Sequence, residues 1–241
     1  MNSNIFPILI LNARPGAGKS EIIDYLTKTP LAERQSRFHV GKLDSIDDFP
    51  LLWTWFEEDA LLNRRGYPRL HSDAQGYFKE EYFWHLLIER LGLEYDKRLR
   101  DHPRYQQQYT TLIEFSRGTE HGGYQAAYQH LSPQILQHGS LLYVHVSYAE
   151  SLRKNRARAN PARPDSLLEH SLSDEKLERL YREDDWETVK GDATQYLTIK
   201  GTRMPYAVFE NEDDVTTPRG AALGERLEKT LSTLWERYRA R

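Results

Sequence analysis

ILILNARPGAGKSEIIDYL, residues 8 to 26, is the stretch on which the fold turns. From Ile5 to Leu11 the chain is apolar apart from a proline and shows no alternation, as expected of a strand buried on both faces of a parallel sheet. The run meets Pro15-Gly16-Ala17-Gly18, and beyond Lys19 and Ser20 the residues Ile22, Ile23 and Leu26 recur at helical spacing until Pro30 stops them. The predicted order is strand, loop, helix.

A loop of this kind can curl around an anion. Glycines permit unusual dihedrals and a close backbone approach, successive N–H groups turn inward, and the following helix adds the positive end of its dipole. Lys19 would reach the β- and γ-phosphates of a nucleotide as a point charge, and the Ser20 hydroxyl would ligate magnesium. Residues 13 to 20, ARPGAGKS, satisfy the phosphate-loop pattern when Ala13 stands in the place of its first glycine.

Composition sets the outer limits. The chain has 241 residues, 33 basic and 36 acidic, for a formal charge of −3, and no cysteine. Its mean hydropathy is −0.76. Residues 1–241 therefore read as one α/β domain with an embedded subdomain. There is no overall basic charge to suggest a nucleic-acid partner, and no thiol chemistry. The start lacks a signal peptide's basic region, and Ile5 to Leu11 is too short to cross a bilayer, so the expectation is a cytoplasmic protein without a membrane partner.

Further along, Phe38 to Leu43 reads as a second strand, Thr110 to Ser116 as a third, Leu141 to Ser147 as a fourth and the segment around 205 to 210 as a fifth, with YLTI at 196 to 199 as a further candidate. Between the second and third strands the stretch 45–108 is too long for a loop and reads as a helical insert, in which Phe78, Tyr82, Phe83, Leu86, Leu87 and Leu91 form one stripe of a helix ended by Gly92. Residues 149–190 read as a lid-like helical segment, with a long charged helix from about Asp165 to Val189 after the Pro161 and Pro164 break. Strands alternating with helices predict a three-layer α/β/α fold around a parallel five-stranded sheet.

ARPGAGKS resembles the phosphate loop of the nucleoside and nucleotide kinases, which often carry Pro-Gly-x-Gly-Lys. The resemblance is specific at this loop and extends over the rest of the chain as architecture. It implies ATP and Mg2+ as donor and metal, with Arg14, Pro15, Gly16, Ala17, Gly18, Lys19 and Ser20 around the phosphates. TTLIEFSRG, ending in Glu114 and Arg117, resembles both an acid that serves magnesium and the Glu-Arg strand end of deoxynucleoside kinases, where the acid serves the acceptor hydroxyl. Arg153, Arg156 and Arg158 resemble the lid arginines of this group; Arg153 and Arg156, three apart, share a helix face, while Arg158 points elsewhere unless the helix ends there. The loop FENEDDVTT, with Asn211, falls where such kinases hold the purine, and it also reads as a plain turn and helix cap.

The acceptor side is less defined. Asp44, Asp47 and Asp48 follow the predicted second strand, where a carboxylate could take the proton of an attacking hydroxyl. Three acids in five residues are also an ordinary helix start, and if one is functional Asp44 is nearest the strand end. Among the insert's aromatics, Phe78, Tyr82 and Phe83 read as core, whereas Trp53 and Trp55 cannot both face inward on one helix, leaving one for a ligand. His121 is expected near the Arg117 loop, and the nine histidines show no metal-ligand spacing.

Two functions follow as expectations. One is an ATP- and magnesium-dependent kinase acting on a small molecule such as a nucleoside or nucleotide. The other is a nucleotide-binding regulator or NTPase switch with water as acceptor and a protein partner. A homo-oligomer stays open, because the C-terminal leucines fit sheet packing as well as a dimer helix.

Overall fold

The computed structural model describes residues 4–158 and 172–241. The central strand β1 (Ile8–Ala13) leads through the glycine loop into α1 (Lys19–Lys28), and α2 (Leu31–Phe38) precedes the edge strand β2 (Lys42–Asp47). The insert holds α3 (Phe49–Arg64), α4 (Tyr82–Asp101) and the single turn α5 (Tyr105–Gln108) before β3 (Tyr109–Phe115). A 3-10 turn at Thr119–His121 and the helices α6 (Gly123–Gln129) and α7 (Pro133–His138) connect to β4 (Gly139–His145). Then follow α8 (Tyr148–Arg158), α9 (Asp174–Tyr181), α10 (Trp186–Lys190), the hairpin β5 (Tyr196–Ile199) and β6 (Thr202–Glu210), and α11 (Ala221–Ala240).

The fold is a three-layer α/β/α P-loop fold. Its strand order is β2-β3-β1-β4-β6-β5, parallel throughout except for β5 against β6. The sheet therefore has six strands rather than the expected five, the short YLTI segment adding the antiparallel edge. Every residue of β1 is buried, which explains its unbroken apolar run. Ile8 and Ile10 join a core with α4, α6 and α7, while Leu9, Leu11 and Ala13 join a second core with α1, α2 and α11 on the opposite face.

The second strand begins four residues later than its sequence suggested. Phe38 and Val40 are wholly buried among α1, α2 and α11, whereas the edge strand itself is the polar KLDSID. An edge strand needs little apolar surface, so the search for an apolar run landed on the segment before it. In the insert, Phe78 lies ahead of α4, and Tyr82 (57% exposed) and Leu86 (39%) leave the predicted core stripe. Within 165–189 the described residues form two short helices, α9 and α10, separated at residues 182–185. Pro161, Pro164 and residues 165–171 lie outside the described residues. No helix of the described residues is long and apolar enough to cross a membrane.

The strand order reverses at β1, whose neighbours are β3 and β4, so the crevice opens beyond the carboxyl ends of β1 and β3. Loop 14–18, Asp47 and Ser116–Arg117 all lie at that end of the sheet.

Candidate functional site

The glycine loop is held from behind. Asn211 donates its amide to the Ala17 carbonyl at 2.8 Å and to Thr216 Oγ1 at 2.8 Å, Ser151 Oγ donates to the Pro15 carbonyl at 2.7 Å, and Lys154 reaches Thr216 at 2.8 Å. Gly18 caps α1 with φ 110°, and a Cβ there would come within 2.5 Å of Thr216 Oγ1, so the position needs glycine both for its backbone and for its space. Gly16, at φ 74°, makes the other left-handed step. Ala13, by contrast, is the last residue of β1, has no positive φ and buries its methyl in the core, so no glycine is required there. No side chain caps α1, whose first N–H groups face the loop.

Lys19 projects from the start of α1 and donates to Ser116 Oγ at 2.9 Å. Crowding by protein atoms lowers its pKa, while Glu114, Asp47 and Asp48 pull in the opposite direction. Ser20 is exposed, and its Oγ accepts a 3.3 Å contact from Arg158.

Opposite Lys19 stands a carboxylate pair built by sheet register. Asp47 and Glu114 are direct partners on the parallel strands β2 and β3. Burial, followed by the charges of Asp48 and Glu114, pushes the Asp47 carboxyl up to about 7. Its Oδ1 accepts the Phe49 N–H at 3.0 Å. Burial also raises Glu114, with Lys19 opposing. Asp48 has a different part: it forms a 2.6 Å ion pair with Arg117, both side chains nearly solvent-free. Arg117 also donates to the Trp84 carbonyl at 3.1 Å and lies over the Trp84 ring, fastening α4 to the end of β3.

These groups share one cavity of about 610 Å3, lined by Pro15 to Ser20 on one side and by the insert's Trp53, Phe56, Phe78 and Trp84 on the other. His121 stacks on Trp84 with centroids 4.1 Å apart, and its pKa falls to about 3 through burial and then through the neighbouring Arg117 and Arg179, so it is neutral. Of the two tryptophans, Trp53 lines the cavity, and Trp55 stacks on His71 at 4.9 Å between centroids. From α9, Arg179 lies 3.9 Å over the Tyr77 ring, and Lys176 donates to the Gly76 carbonyl at 3.2 Å, so this helix rests on the insert.

Several residues expected at the site stand elsewhere. Asp44 lies mid-strand in β2 and is bound by Arg98 at 2.7 Å and Tyr105 at 2.6 Å; Asp47 and Asp48 occupy the strand end instead. Arg153 pairs with Glu150 and Asp214, and Arg156 with Asp174, neither lining the cavity. Because α8 extends to Arg158, that residue is the arginine of the three that reaches Ser20. Arg14 points away from the loop's concave side, donating to the Val146, Tyr181 and Arg182 carbonyls and pairing with Asp184 at 2.9 Å. Asn211 is wholly buried against Ala17, where it braces the loop and does not face a base site in the cavity. Arg158 was expected among the lid arginines but pointing away from the face shared by Arg153 and Arg156 unless the helix ended there, and Ser116 was not singled out by the sequence. Ser116 lies two residues past Glu114 in EFSRG, and only the fold reveals its contact with Lys19.

Among the described residues no group of three or more histidines, aspartates or glutamates is arranged to hold a metal alone. A hydroxyl and one carboxylate, Ser20 with Asp47 or Glu114, match the sparse protein share of a magnesium ion that takes its remaining ligands from phosphate and water.

No protein-family model and no curated protein matches the chain. Among solved structures it is similar to TT1252 from Thermus thermophilus, at 17% identity over 95% of this chain and 96% of that one, with a TM-score of 0.43. It is also similar to APE1195, at 14% identity over 96% and 98% and a TM-score of 0.38. Shikimate kinase from Acinetobacter baumannii in complex with shikimate aligns at 13% identity over 77% and 76%, with a TM-score of 0.37. At these scores the likeness says nothing of what this chain binds or does, and the fold rests on the strand order and loop described above.

Proposed function

We propose that the chain is a phosphotransferase that carries the γ-phosphoryl group of ATP to a hydroxyl of a small molecule, with magnesium bound at Ser20. The observation behind this reading is the convergence of Lys19 and Ser20 from one side, and Asp47 and Glu114 from the other, on a single cavity with an aromatic far wall. Bound ATP and Mg2+ would supply the phosphoryl group and neutralise part of its charge. The N–H groups of loop 14–18 and of α1 hold the phosphate oxygens. Lys19 exchanges its Ser116 contact for a phosphate oxygen, and Arg158, planar and at the cavity edge, adds a second positive group.

Asp47 is the group suited to the acceptor. A carboxyl near pH 7 in its proton affinity can take a hydroxyl proton and release it again without a large penalty in either direction. As the acceptor oxygen bonds to the γ-phosphorus and the bridging bond to ADP breaks, the proton passes to Asp47. Glu114, one strand inward and closer to Lys19's charge, is then left to the metal. Cytoplasmic residence accords with ATP as donor and belongs to the same proposal.

The test is ADP release measured against a panel of nucleosides, sugars and amino alcohols, with Lys19→Ala as control. Acceptor-stimulated release that disappears in the variant supports the kinase. Release that no acceptor accelerates would point to the hydrolytic switch instead.

A further inference from the structure

The charge balance of the acceptor end identifies the class of compound it takes, an inference that rests on the kinase reading. The cations facing the cavity fall into two groups. Lys19 and Arg158 stand at the glycine loop, where phosphates would occupy them. At the acceptor end, Arg117 is closed off by Asp48 at 2.6 Å and by two carbonyls, and Arg179 is paired with Glu120 at 2.8 Å. Lys176 is bonded to the Gly76 carbonyl and lies over the Tyr77 ring.

The acids are far less occupied. The Glu114 carboxylate takes no hydrogen bond from any described residue, and Asp47 takes one from a backbone N–H. Glu80 and Glu81, at the mouth of the cavity where α4 begins, have no side-chain partner among the described residues. With one inner carboxylate assigned to magnesium, the described residues of the acceptor end still hold an excess of negative charge over Lys176.

Two further features of the same wall suit a cation. Phe56 and Phe78 line the cavity, and aromatic rings attract ammonium groups. His121 is 7% exposed, neutral, and its Nε2 has no hydrogen-bond partner. A buried unpaired ring nitrogen of this kind is satisfied when a ligand N–H or O–H reaches it.

We infer that the acceptor is a hydroxyl compound carrying an ammonium group beside an apolar or aromatic body, and that acceptors bearing a carboxylate or phosphate are disfavoured. The ammonium sits between the insert's rings and Glu80 and Glu81, while the hydroxyl points inward to Asp47.

Three probes with the same phenyl ring and a hydroxyl isolate the charge: 2-amino-1-phenylethanol, 1-phenylethane-1,2-diol and mandelate. Their binding to the full chain is measured by calorimetry in the presence of ADP and Mg2+, with no turnover required. The amine is expected to bind best and mandelate worst, with a difference on the order of tenfold at low salt that narrows as salt is added. In the double variant Glu80→Gln, Glu81→Gln the gap between amine and mandelate shrinks severalfold while the diol is unaffected. Equal binding of all three, a preference for mandelate, absence of binding by the amine at millimolar concentration, or a gap unchanged in the double variant would each overturn the inference. Failure of the kinase reading has separate signatures: ADP release that no acceptor accelerates, or nucleotide-dependent thermal stabilisation that survives Lys19→Ala.

Discussion

The Asp47 carboxyl is a place where function and stability should pull in opposite directions, and the replacement Asp47→Asn separates them. In the folded chain this carboxyl is raised from 3.8 to about 7, chiefly by burial and then by Asp48 and Glu114. A raised carboxyl binds its proton more tightly in the folded than in the unfolded chain. Between the two pKa values the folded state therefore holds the extra proton, and stability falls as pH rises, by up to about 1.4 kcal/mol per pH unit. The full shift of about three units corresponds to roughly 4 kcal/mol, and partial water access to the cavity reduces this to about 2 kcal/mol. Asparagine carries no charge and can still accept the Phe49 N–H through its amide oxygen. The variant should therefore match the parent near pH 4 and exceed it by about 2 kcal/mol at pH 8, which for a chain of this size is about 4–8 °C in Tm. Phosphoryl transfer should fall at least a hundredfold in the same variant, the usual scale for loss of a general base. Urea titrations of ligand-free protein at pH 4, 6 and 8 provide the measurement. A stability difference independent of pH, or a less stable variant at pH 8, would show that Asp47 rests as a well-paired anion and would refute its assignment as the base.

The other predictions concern what holds the site in place. Asp48→Ala leaves Arg117 charged, buried and unpaired, and should cost about 3–5 kcal/mol by chemical denaturation, whereas Asp48→Leu combined with Arg117→Met should recover much of that loss. Asp59, completely buried, accepts hydrogen bonds from the Leu70, His71 and Ser72 N–H groups and from Ser72 Oγ, which holds its carboxyl at about 2; Asp59→Ala should release residues 65–81, seen as faster amide exchange there than in α4. Arg158→Ala should lower kcat tenfold or more, while Arg153→Ala and Arg156→Ala change it less than threefold, because only Arg158 reaches Ser20.

What could be read from the sequence was whatever depends on local chain order. Loop 14–18 announced itself because an anion-binding turn requires glycine at fixed steps and a lysine and serine immediately after them, and the structure shows the same economy: Gly18 has no room for a Cβ and Ser20 is open. The buried strands β1, β3 and β4 were legible because burial on both faces forces continuous apolar residues. The edge strand β2 was not, since KLDSID satisfies its single neighbour with little apolar surface. That shift of four residues put Asp44 nearest the expected strand end, where the structure has Asp47.

The arginines show a second limit of the same origin. Arg14, Arg117, Arg153, Arg156 and Arg158 are equal as letters, and helical spacing favoured Arg153 and Arg156. Their fates depend on partners distant in the chain: Asp184 takes Arg14, Asp48 takes Arg117, Asp214 takes Arg153 and Asp174 takes Arg156. Arg158 keeps only a 3.3 Å contact with Ser20 and a 3.8 Å contact with Glu21 among the described residues, and that glutamate follows Ser20 directly. An arginine held this loosely can turn to a phosphate at little cost, whereas Arg117 would have to abandon a buried carboxylate first. Which arginine is available to an anion is thus decided by which acids the fold leaves unspent. The same reasoning applied to the carboxylates leaves Glu80 and Glu81 free at the mouth of the cavity, where the acceptor would enter.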